Sequence, residues 1–403
     1  MTSLEAPWLK LSALQRLFTL FGKEGATLRL VGGSVRDGLL GLPVNDIDFA
    51  VDRPPQWVME LLNTHHIKAI PTGIDHGTIT AVIDKKPYQI TTLRVDVKTF
   101  GRRADVSFTD DWVQDALRRD FTINAIYADK NGQLFDPVKG IEDLQAHRVR
   151  FIGDASQRIK EDYLRIFRFF RFSARFGQGA YDREGLEACK VYASHLPSLA
   201  RERVTDEFLK LLTLPSPVYA LNAMYETGVL NYVLHPTTWE DLKSLVALEK
   251  GLASSPSAIL RLAAFHPALE DIKARLRLSR NQESYLVFLM QNQPVITNES
   301  FKHQAYILGK EKAFDLALFQ TAQRITSTEL SLEQGEHFLT HLHDCFDSWI
   351  MPVFPLTGND ILTHGIKEGK RIGALLKAVE SWWLEQNFSP DRVACLAHLE
   401  TLL

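Results

Sequence analysis

The pattern of apolar and polar positions changes character along the chain. Apolar residues recur at helical spacing from Trp8 to Phe21, which predicts an opening amphipathic helix. Between residues 27 and 51, LRLV predicts a strand, GGSVRDGLLG predicts a glycine turn that enters a helix, and DIDFAV predicts a second strand. The runs ITAVI (79–83) and YQITTLRV (88–95) predict further strands. The first region is therefore predicted to mix helices and strands.

The remainder of the chain is predicted to be nearly all helical. After about residue 140 glycines become sparse, and long segments rich in leucine and phenylalanine dominate. The proline-bearing segments SHLPSLA, LPSPVYA, QNQPVIT and MPVFPLTGND are candidate joints between helical modules. No internal repeat is present, which argues against a solenoid. The expected fold class is α+β, with a first region of helices and strands followed by helical modules.

Composition and charge narrow the class of protein. The chain has 403 residues, of which 45% are hydrophobic, and 46 basic residues stand against 49 acidic ones. A formal charge of −3 excludes an overall basic coat, so any RNA binding must be regional. Cys189, Cys345 and Cys395 form no CxxC pair, which fits a reducing compartment. The N-terminal residues do not resemble a signal sequence, and no apolar run of about 18 residues occurs. We therefore expect a cytoplasmic protein without a membrane partner.

Two carboxylates follow the glycine turn in the sequence Asp46-Ile47-Asp48. On a strand, alternation would place both carboxylates on one face, with Ile47 pointing into the core. Two such close negative charges favour a cation between them, and Mg²⁺ binds one or two carboxylates together with substrate phosphates. Taken alone, such a pair is more often a solvated strand end.

The glycine turn Gly32-Gly33 lies about a dozen residues upstream of these carboxylates. Two glycines let the backbone approach a phosphate closely, and Arg36 adds a cation one turn into the following helix. The turn and the carboxylates together predict a nucleoside triphosphate site. The alternative is a tight turn with a surface arginine. Neither a Walker loop nor a dinucleotide-binding fingerprint is present.

A third block, RRDFTINA, begins at Arg118. Arg118 and Arg119 can neutralise a triphosphate. Asp120 and Asn124 would share one face of a helix, where they suit ribose hydroxyls. A solvated helix start is the alternative interpretation.

A fourth block, residues 161–175, carries an arginine stripe among aromatic residues. On one continuous helix its charged members would lie within about half the circumference. These are Glu161, Asp162, Arg165, Arg168, Arg171 and Arg175. Because the other faces are apolar, the stripe is predicted to face an internal cleft, where Asp162 and Arg165 can meet the Watson–Crick edge of a base. The alternative is a Glu161–Arg165 pair on a solvated face.

In this order, the motifs GGSVRDGLLG, NDIDFAVD, GRRADVSFTDDW, RRDFTINAIYAD and EDYLRIFRFFRFSARFG resemble class II tRNA nucleotidyltransferases. That group contains the CCA-adding enzymes and the bacterial poly(A) polymerases, within the polymerase β superfamily. The resemblance covers residues 28 to 177, with a weaker similarity in FPLTGNDILTHGIKEGKRIGALL. It implies a nucleotidyltransferase head with a small mixed sheet (1–145), a helical neck that recognises the base (146–210), a helical body (211–300) and a helical tail that binds tRNA (301–403).

The resemblance also implies a role for each candidate residue. Asp46 and Asp48 would hold Mg²⁺ and catalyse transfer of C, C and A from CTP and ATP to the tRNA 3′-hydroxyl. The expected nucleotide-binding residues are Gly32, Gly33, Arg36, Arg119, Asp120, Asn124, Asp162, Arg165, Arg168 and Arg171. Among these, Asp162 and Arg165 would act as a protein template, completed by Arg168 and Arg171. The tRNA would be held by its acceptor and T arms, and no obligate protein partner is expected.

One residue departs from the resemblance, and several alternatives stay open. Many relatives have a glutamate at the position of Gln89, and an amide is a weaker metal ligand. The segment RVDVKTFGRRADVSFTDD is of the kind that the family uses as a flexible loop, which favours CCA or A addition. A-only addition, poly(A) tailing, a catalytically silent RNA-binding relative, and transfer to a small molecule or a protein are the alternatives. The histidines between His337 and His343 are expected on a surface helix.

Overall fold

The structure is a computed structural model that describes residues 3–100, 103–235, 238–265, 268–291, 293–366 and 368–403. For residues 96–100 and 103–105 it describes the backbone alone. Contacts divide the chain into two compact units. The first comprises residues 1–237 and 267–283, and the second comprises residues 238–266 and 284–403. The predicted boundaries at 145, 210 and 300 stay predictions.

A seven-stranded mixed sheet forms the N-terminal part of the first unit. Its strands are β1 (Leu28–Val31), β2 (Asp48–Val51), β3 (Lys68–Gly73), β4 (Thr78–Ile83), β5 (Lys86–Thr92), β8 (Tyr127–Ala128) and β9 (Leu134–Phe135). They lie in the order β3-β4-β5-β2-β1-β8-β9, and only β2 and β5 are parallel neighbours among the described pairs. The strands predicted at LRLV and ITAVI are confirmed.

The strand that carries the carboxylate pair begins later than predicted. β2 starts at Asp48, so Asp46 and Ile47 precede it, and Ile47 is half-buried and does not lie in the core. Alternation along one strand is therefore not what relates the two carboxylates. Beyond them, Phe49 and Val51 are fully buried, because the sheet is covered on the side where they point.

The segment predicted as a loop contains a two-stranded antiparallel hairpin. Its strands are β6 (Arg94–Phe100) and β7 (Arg103–Phe108), which pair from Arg94 opposite Phe108 onward. The predicted YQITTLRV strand is divided between β5 and β6. Residues 101 and 102, part of the predicted flexible loop, lie outside the described residues.

Helices make up the rest of the first unit. They are α1 (Ser12–Lys23), α2 (Gly33–Leu39), α3 (Pro55–Thr64), α4 (Trp112–Leu117), α5 (Gly140–Gln145), α6 (Ala155–Glu161), α7 (Leu164–Phe176), α8 (Arg183–Tyr192), α9 (Arg201–Leu212), α10 (Pro217–Glu226) and α13 (Leu269–Arg275). The amphipathic helix predicted at the start is α1, with Leu14, Leu17 and Phe21 fully buried. Helix α2 follows the glycine turn as predicted.

The arginine-rich segment 161–175 is not one continuous helix. Helix α6 ends at Glu161, Asp162 has an extended backbone, and α7 begins at Leu164. Aromatic packing fixes α7 against the sheet-bearing part, since the rings of Phe121 and Phe172 lie 5.4 Å apart. The burial of the apolar face of α7 agrees with the prediction that its arginines face a cleft.

The regular elements of the second unit, among its described residues, are all helices. Its helices are α11 (Glu240–Gly251), α12 (Ala258–Ala263), α14 (Arg280–Met290), α15 (Phe301–Leu308), α16 (Lys310–Thr326), α17 (Leu332–Ser348), α18 (Gly358–Leu362), α19 (Gly369–Glu385) and α20 (Arg392–Thr401), and the unit boundary falls within α14. His337, His341 and His343 are exposed on α17, as predicted. Within the described ranges, no helix has the length and apolarity needed to cross a bilayer.

Candidate active site

A cavity of about 740 Å³ lies beside the sheet in the first unit and reaches α7 and α9. It is lined by ten of the twelve predicted site residues. These are Gly32, Gly33, Arg36, Asp46, Asp48, Arg119, Asp120, Asn124, Arg168 and Arg171. Eight of the lining side chains are cations and four are carboxylates, so the cavity attracts a polyanion. Its volume suits a ligand of nucleotide size.

Asp46 and Asp48 line one part of this cavity together with Gln89. Asp48 lies opposite Gln89 in the register of the parallel strands β2 and β5. Burial raises the pKa of Asp48 above its ordinary value, and the neighbouring Asp46 adds to this, while Arg119 acts in the opposite direction. A bound cation would offset both the burial cost and the repulsion between the two carboxylates.

The glycine turn forms another part of the lining. Gly32 has φ of +71° and ψ of −126°, a backbone conformation available essentially to glycine alone. Its N–H donates to the carbonyl of Ile126 at 3.3 Å, which ties the turn to the end of the sheet. A Cβ at this position would lie 3.7 Å from the carbonyl oxygen of Asn124 and 3.8 Å from the guanidinium of Arg119. The backbone conformation, more than lack of space, is what requires a glycine here.

Arg36 is held in place by its neighbours. Its guanidinium is 6% exposed, donates to Asn124 Oδ1, and lies 4.3 Å from the ring centroid of Phe176. The Nε atom donates to Asp37 at 2.7 Å, and Asp37 also accepts from Arg175 at 3.1 Å. Burial lowers the pKa of Arg36, and Asp37 counteracts that shift. The cation is thus fixed at the cavity wall and is not mobile on the surface.

Asp115, which the sequence analysis did not single out, anchors both adjacent arginines. Arg118 donates to its Oδ1 at 2.8 Å, and Arg119 donates to its Oδ2 at 3.0 and 3.2 Å. The hydroxyl of Tyr127 donates to the same Oδ2 at 2.8 Å. Burial alone would raise the pKa of Asp115, but the two arginines together lower it to about 2. Asp115 therefore stays charged and fixes the orientation of Arg118 and Arg119.

A second network joins the head to α7 and α9. Asp120 accepts from Arg168 at 2.7 Å and from Asn124 at 3.0 Å, so Asp120 and Asn124 are in direct contact. They meet through the short 3₁₀ helix Thr122–Asn124 and not on an α-helix. Burial opposes ionisation of Asp120, yet Arg168 and the hydrogen bonds hold its pKa well below the ordinary value.

Glu207 on α9 is a further residue that the sequence analysis missed. It is 5% exposed and accepts from Arg171 at 2.7 and 3.4 Å and from Arg168 at 3.5 Å. A single buried carboxylate thus serves two arginines of the cavity wall. Its partners lie 36 and 39 residues away in the sequence, so no local spacing indicates the contact. Asp115 lies three and four residues before Arg118 and Arg119, so its spacing along a helix could have indicated these ion pairs.

Asp162 and Arg165 do not line the cavity. They lie where α6 ends and α7 begins, one turn along α7 from Arg168. Arg165 donates to Glu161 at 2.5 Å and to the carbonyl of Arg158 at 2.7 Å. Asp162 is paired with Arg203 of α9 at 2.7 Å. The break in the helix accounts for this separation, since the single-helix prediction placed all of these groups on one face.

Two protein-family profiles match parts of the chain. The profile described as the poly A polymerase head domain matches residues 28–150, which include the sheet and the carboxylate pair. The profile described as a probable RNA and SrmB-binding site of polymerase A matches residues 182–242. Both matches agree with the predicted resemblance.

Full-length relatives extend the match over nearly the whole chain. The mitochondrial CCA tRNA nucleotidyltransferase 1 of Mus musculus is 34% identical over 394 residues, which cover 96% of this chain and 89% of the relative. The CCA-adding enzyme of Bacillus cytotoxicus is 30% identical over 94% of this chain and 95% of its own length. The Bacillus stearothermophilus CCA-adding enzyme, solved in complex with CTP, superimposes with a TM-score of 0.78 at 26% identity and 98% coverage of both chains. The chain therefore belongs to the CCA tRNA nucleotidyltransferase family, with the α+β fold that its sequence predicted.

Proposed function

We propose that the protein adds C, C and A to the 3′ end of tRNA, using CTP and ATP and releasing pyrophosphate. The observation that carries this proposal is the cavity, in which eight cations surround a wall that holds Asp46 and Asp48. Such an arrangement suits a triphosphate beside a metal-binding carboxylate pair. The named activity of the relatives supports the choice of tRNA as acceptor.

Mg²⁺ fits the donor set of this cavity. Asp46 and Asp48 supply carboxylate oxygens, and Gln89 offers a neutral amide beside them. No cluster of three or more metal-binding side chains occurs among the residues that the structure describes, so substrate phosphates and water would complete the coordination. When bound, Mg²⁺ supplies Lewis acidity that favours ionisation of the 3′-hydroxyl and neutralises charge on the triphosphate.

The chain's own residues bind and orient the triphosphate and the ribose. Arg119, fixed by Asp115, and Arg36, fixed by Asn124, present cations whose side chains need not reorganise when the ligand binds. Asp120 and Asn124 offer polar atoms for the ribose hydroxyls, with the backbone of Gly32 and Gly33 beside the phosphates. The 3′-oxygen forms a bond to the α-phosphorus as the bond from that phosphorus to the bridging oxygen of the leaving pyrophosphate breaks, and the hydroxyl proton passes to water.

Base selection is proposed to rest on the start of α7. Cytosine and adenine each present an amino donor next to a ring-nitrogen acceptor. Asp162 supplies an acceptor, and Arg165 supplies donors through Nε and Nη2, which bond to no described group. Arg168, held by Asp120, and Arg171, held by Glu207, complete the pocket towards the phosphates. The two groups lie next to each other, since the N–H of Arg165 donates to the carbonyl of Asp162 at 3.0 Å.

The tRNA acceptor and T arms are proposed to bind along the helical body and tail. Transfer to a small-molecule acceptor would leave this long helical region without a role. We propose the cytoplasm as the compartment, supported by the free thiols of Cys189, Cys345 and Cys395. The mouse relative is named as mitochondrial. Fractionation of the source cells decides between the two compartments.

Product length tests the proposed function directly. The protein is incubated with Mg²⁺ and tRNA transcripts that lack CCA, CA or A, with CTP and ATP supplied separately and together. Completion of each transcript to CCA, followed by arrest, supports the proposal. Extension of the CC-ended transcript alone would indicate A-only addition, and long ladders with ATP alone would indicate poly(A) tailing. Binding of tRNA without incorporation would indicate a silent RNA-binding relative.

A further inference from the structure

The carboxylate of Asp162 is already partly occupied by protein groups. Arg203 of α9 donates from both terminal nitrogens, at 3.2 Å to Oδ1 and 2.7 Å to Oδ2. The backbone N–H of Leu164 donates to Oδ1 at 3.1 Å. Both side chains are only about one-fifth exposed, at 19% for Asp162 and 20% for Arg203. Asp162 is therefore fixed in one orientation by a partner 41 residues away.

The geometry leaves one oxygen of Asp162 with room for a further donor. An ionised carboxylate offers about four acceptor positions, two on each oxygen. Two of those on Oδ1 are taken by Arg203 and Leu164, and one of those on Oδ2 is taken by Arg203. Since the described residues supply no other bond to this group, a base meets a single acceptor position, on Oδ2. The guanidinium fork of Arg203 occupies the edge of the carboxylate where Oδ1 and Oδ2 could otherwise both accept from one ligand.

Nucleobases differ in how many acceptors their Watson–Crick edges demand. Cytosine and adenine each direct one amino N–H along that edge, next to a ring nitrogen that accepts. Guanine directs two parallel N–H groups, from N1 and the 2-amino group, and pairs best with both oxygens of one carboxylate. Uracil directs a single N–H between two carbonyls. A carboxylate with both oxygens free would therefore favour guanine through a two-pronged charge-assisted pair.

We propose that Arg203 is a positioning residue that excludes GTP by occupying the two-pronged face of Asp162. The inference rests on the proposed function, in which Asp162 reads the incoming base. Arg203 does not touch the base; it restricts Asp162 to one acceptor position, which cytosine or adenine satisfies. Removal of the fork exposes both oxygens and opens the site to guanine, while the fit of uracil is unchanged.

The test compares three full-length variants with the wild-type protein. Arg203→Met removes the guanidinium fork and keeps an unbranched aliphatic side chain. Arg203→Lys keeps the charge but cannot form two parallel hydrogen bonds. Arg201→Met is the matched control. It lies on the same helix, is exposed, and its guanidinium donates to the backbone carbonyls of Lys273 and Ala274. Thermal unfolding confirms that each variant is folded before its nucleotide selectivity is compared.

The first readout is kcat/KM for single-nucleotide addition to C- and CC-ended transcripts, with each of the four nucleotides supplied separately. We expect the GTP-to-ATP ratio to rise by roughly tenfold to a hundredfold in Arg203→Met, the range that one two-pronged base contact provides. A smaller rise is expected in Arg203→Lys. The UTP-to-ATP ratio should not change, and Arg201→Met should behave as the wild type. An equal loss for all four nucleotides, or an unchanged GTP-to-ATP ratio, would overturn the inference.

A second readout separates this inference from the proposed function. Equilibrium dialysis with labelled GTP and ATP measures binding without chemistry, and Arg203→Met should bind GTP more tightly relative to ATP than the wild type does. If the wild-type protein adds no nucleotide, the proposed function fails, and the dialysis ratio still decides the role of Arg203. If the wild type makes CCA but the ratio does not change in the variant, only the inference fails.

Discussion

Glu207 and Arg171 form a buried ion pair, with 2.7 Å between Oε2 and Nε, that links α9 to α7 at the cavity wall. Because Glu207 also accepts from Arg168 at 3.5 Å, it contributes to the orientation of two cations. Neither cation is oriented by its own helix alone. This pair therefore connects the packing of the helical neck to the binding of a nucleotide.

The first prediction concerns the charge of Glu207. Glu207→Gln leaves one acceptor but removes the negative charge, so we expect a loss of about 1–3 kcal/mol in the free energy of unfolding. The KM for ATP and CTP should rise more than kcat falls, since Arg171 loses its charged partner while Arg168 keeps only Asp120. Urea unfolding and steady-state kinetics measure the two effects. Glu202→Gln is the same substitution at a residue of α9 that is 69% exposed. It should change the free energy of unfolding by no more than about 0.5 kcal/mol and leave KM and kcat at their wild-type values.

The second prediction concerns the pH dependence contributed by Asp115. Its pKa is about 2 in the folded protein against an ordinary value of 3.8. Because the folded value is the lower one, its stabilisation is fully present above about pH 4 and is lost as the pH falls towards 2. The full contribution is about 2 kcal/mol. The stability difference between the wild type and Asp115→Asn should shrink over that interval, as followed by urea unfolding at each pH.

A matched substitution supplies the comparison for Asp115. Asp110 is exposed, and its side chain bonds to no other described residue. The stability difference between the wild type and Asp110→Asn should stay within about 0.5 kcal/mol at every pH. A pH-independent difference for Asp115→Asn would show that its ion pairs with Arg118 and Arg119 are not the source of its stabilisation.

The third prediction concerns Gln89 beside the carboxylate pair. Gln89→Glu adds a charged oxygen opposite Asp48 in the strand register, so divalent metal should bind several-fold more tightly. Electron paramagnetic resonance with Mn²⁺ measures this affinity without catalysis. Gln89→Met, which has similar size and no amide oxygen, should bind Mn²⁺ no more tightly than the wild type. Equal Mn²⁺ affinity in wild type and Gln89→Glu would place Gln89 outside the metal's coordination.

The fourth prediction concerns the backbone of the glycine turn. Gly32→Ala forces a side chain into φ of +71°, which should lower the free energy of unfolding by about 1–3 kcal/mol and weaken nucleotide binding. Gly22→Ala is the matched control. Its Cβ in α1 would meet nothing within 4 Å, so the change should stabilise the protein by about 0.5–1 kcal/mol. Equal effects of the two substitutions would contradict the role assigned to the turn.

Much of the fold was predictable because its signals are local. The strand at 28–31, the glycine turn and α2 each depend on residues adjacent in sequence. The start of β2 at Asp48 and the break at Asp162 were not predicted, since both depend on neighbouring elements that the local pattern does not contain. The boundaries of elements are the part of a fold that the local sequence determines least.

The same distinction between local and tertiary signals applies to the residues of the candidate site. Local motifs identified ten of the residues that line the cavity, because glycine turns and carboxylate pairs carry their chemistry in short spacings. Glu207 and Arg203 act on residues 36 to 41 positions away, and on the sequence they are ordinary members of an amphipathic helix. Only the packing of α9 against α7 brings them to the site.

The most direct measurement is the mass of an intact tRNA transcript without CCA after incubation with the protein, Mg²⁺, CTP and ATP. The wild type should add the mass of C, C and A and then stop. Asp48→Asn should add nothing while still binding the transcript, and Asp75→Asn, an exposed carboxylate in the same unit, should match the wild type. Addition by Asp48→Asn at the wild-type rate, or no addition by the wild type, would contradict the assignment of this cavity as the site of CCA synthesis.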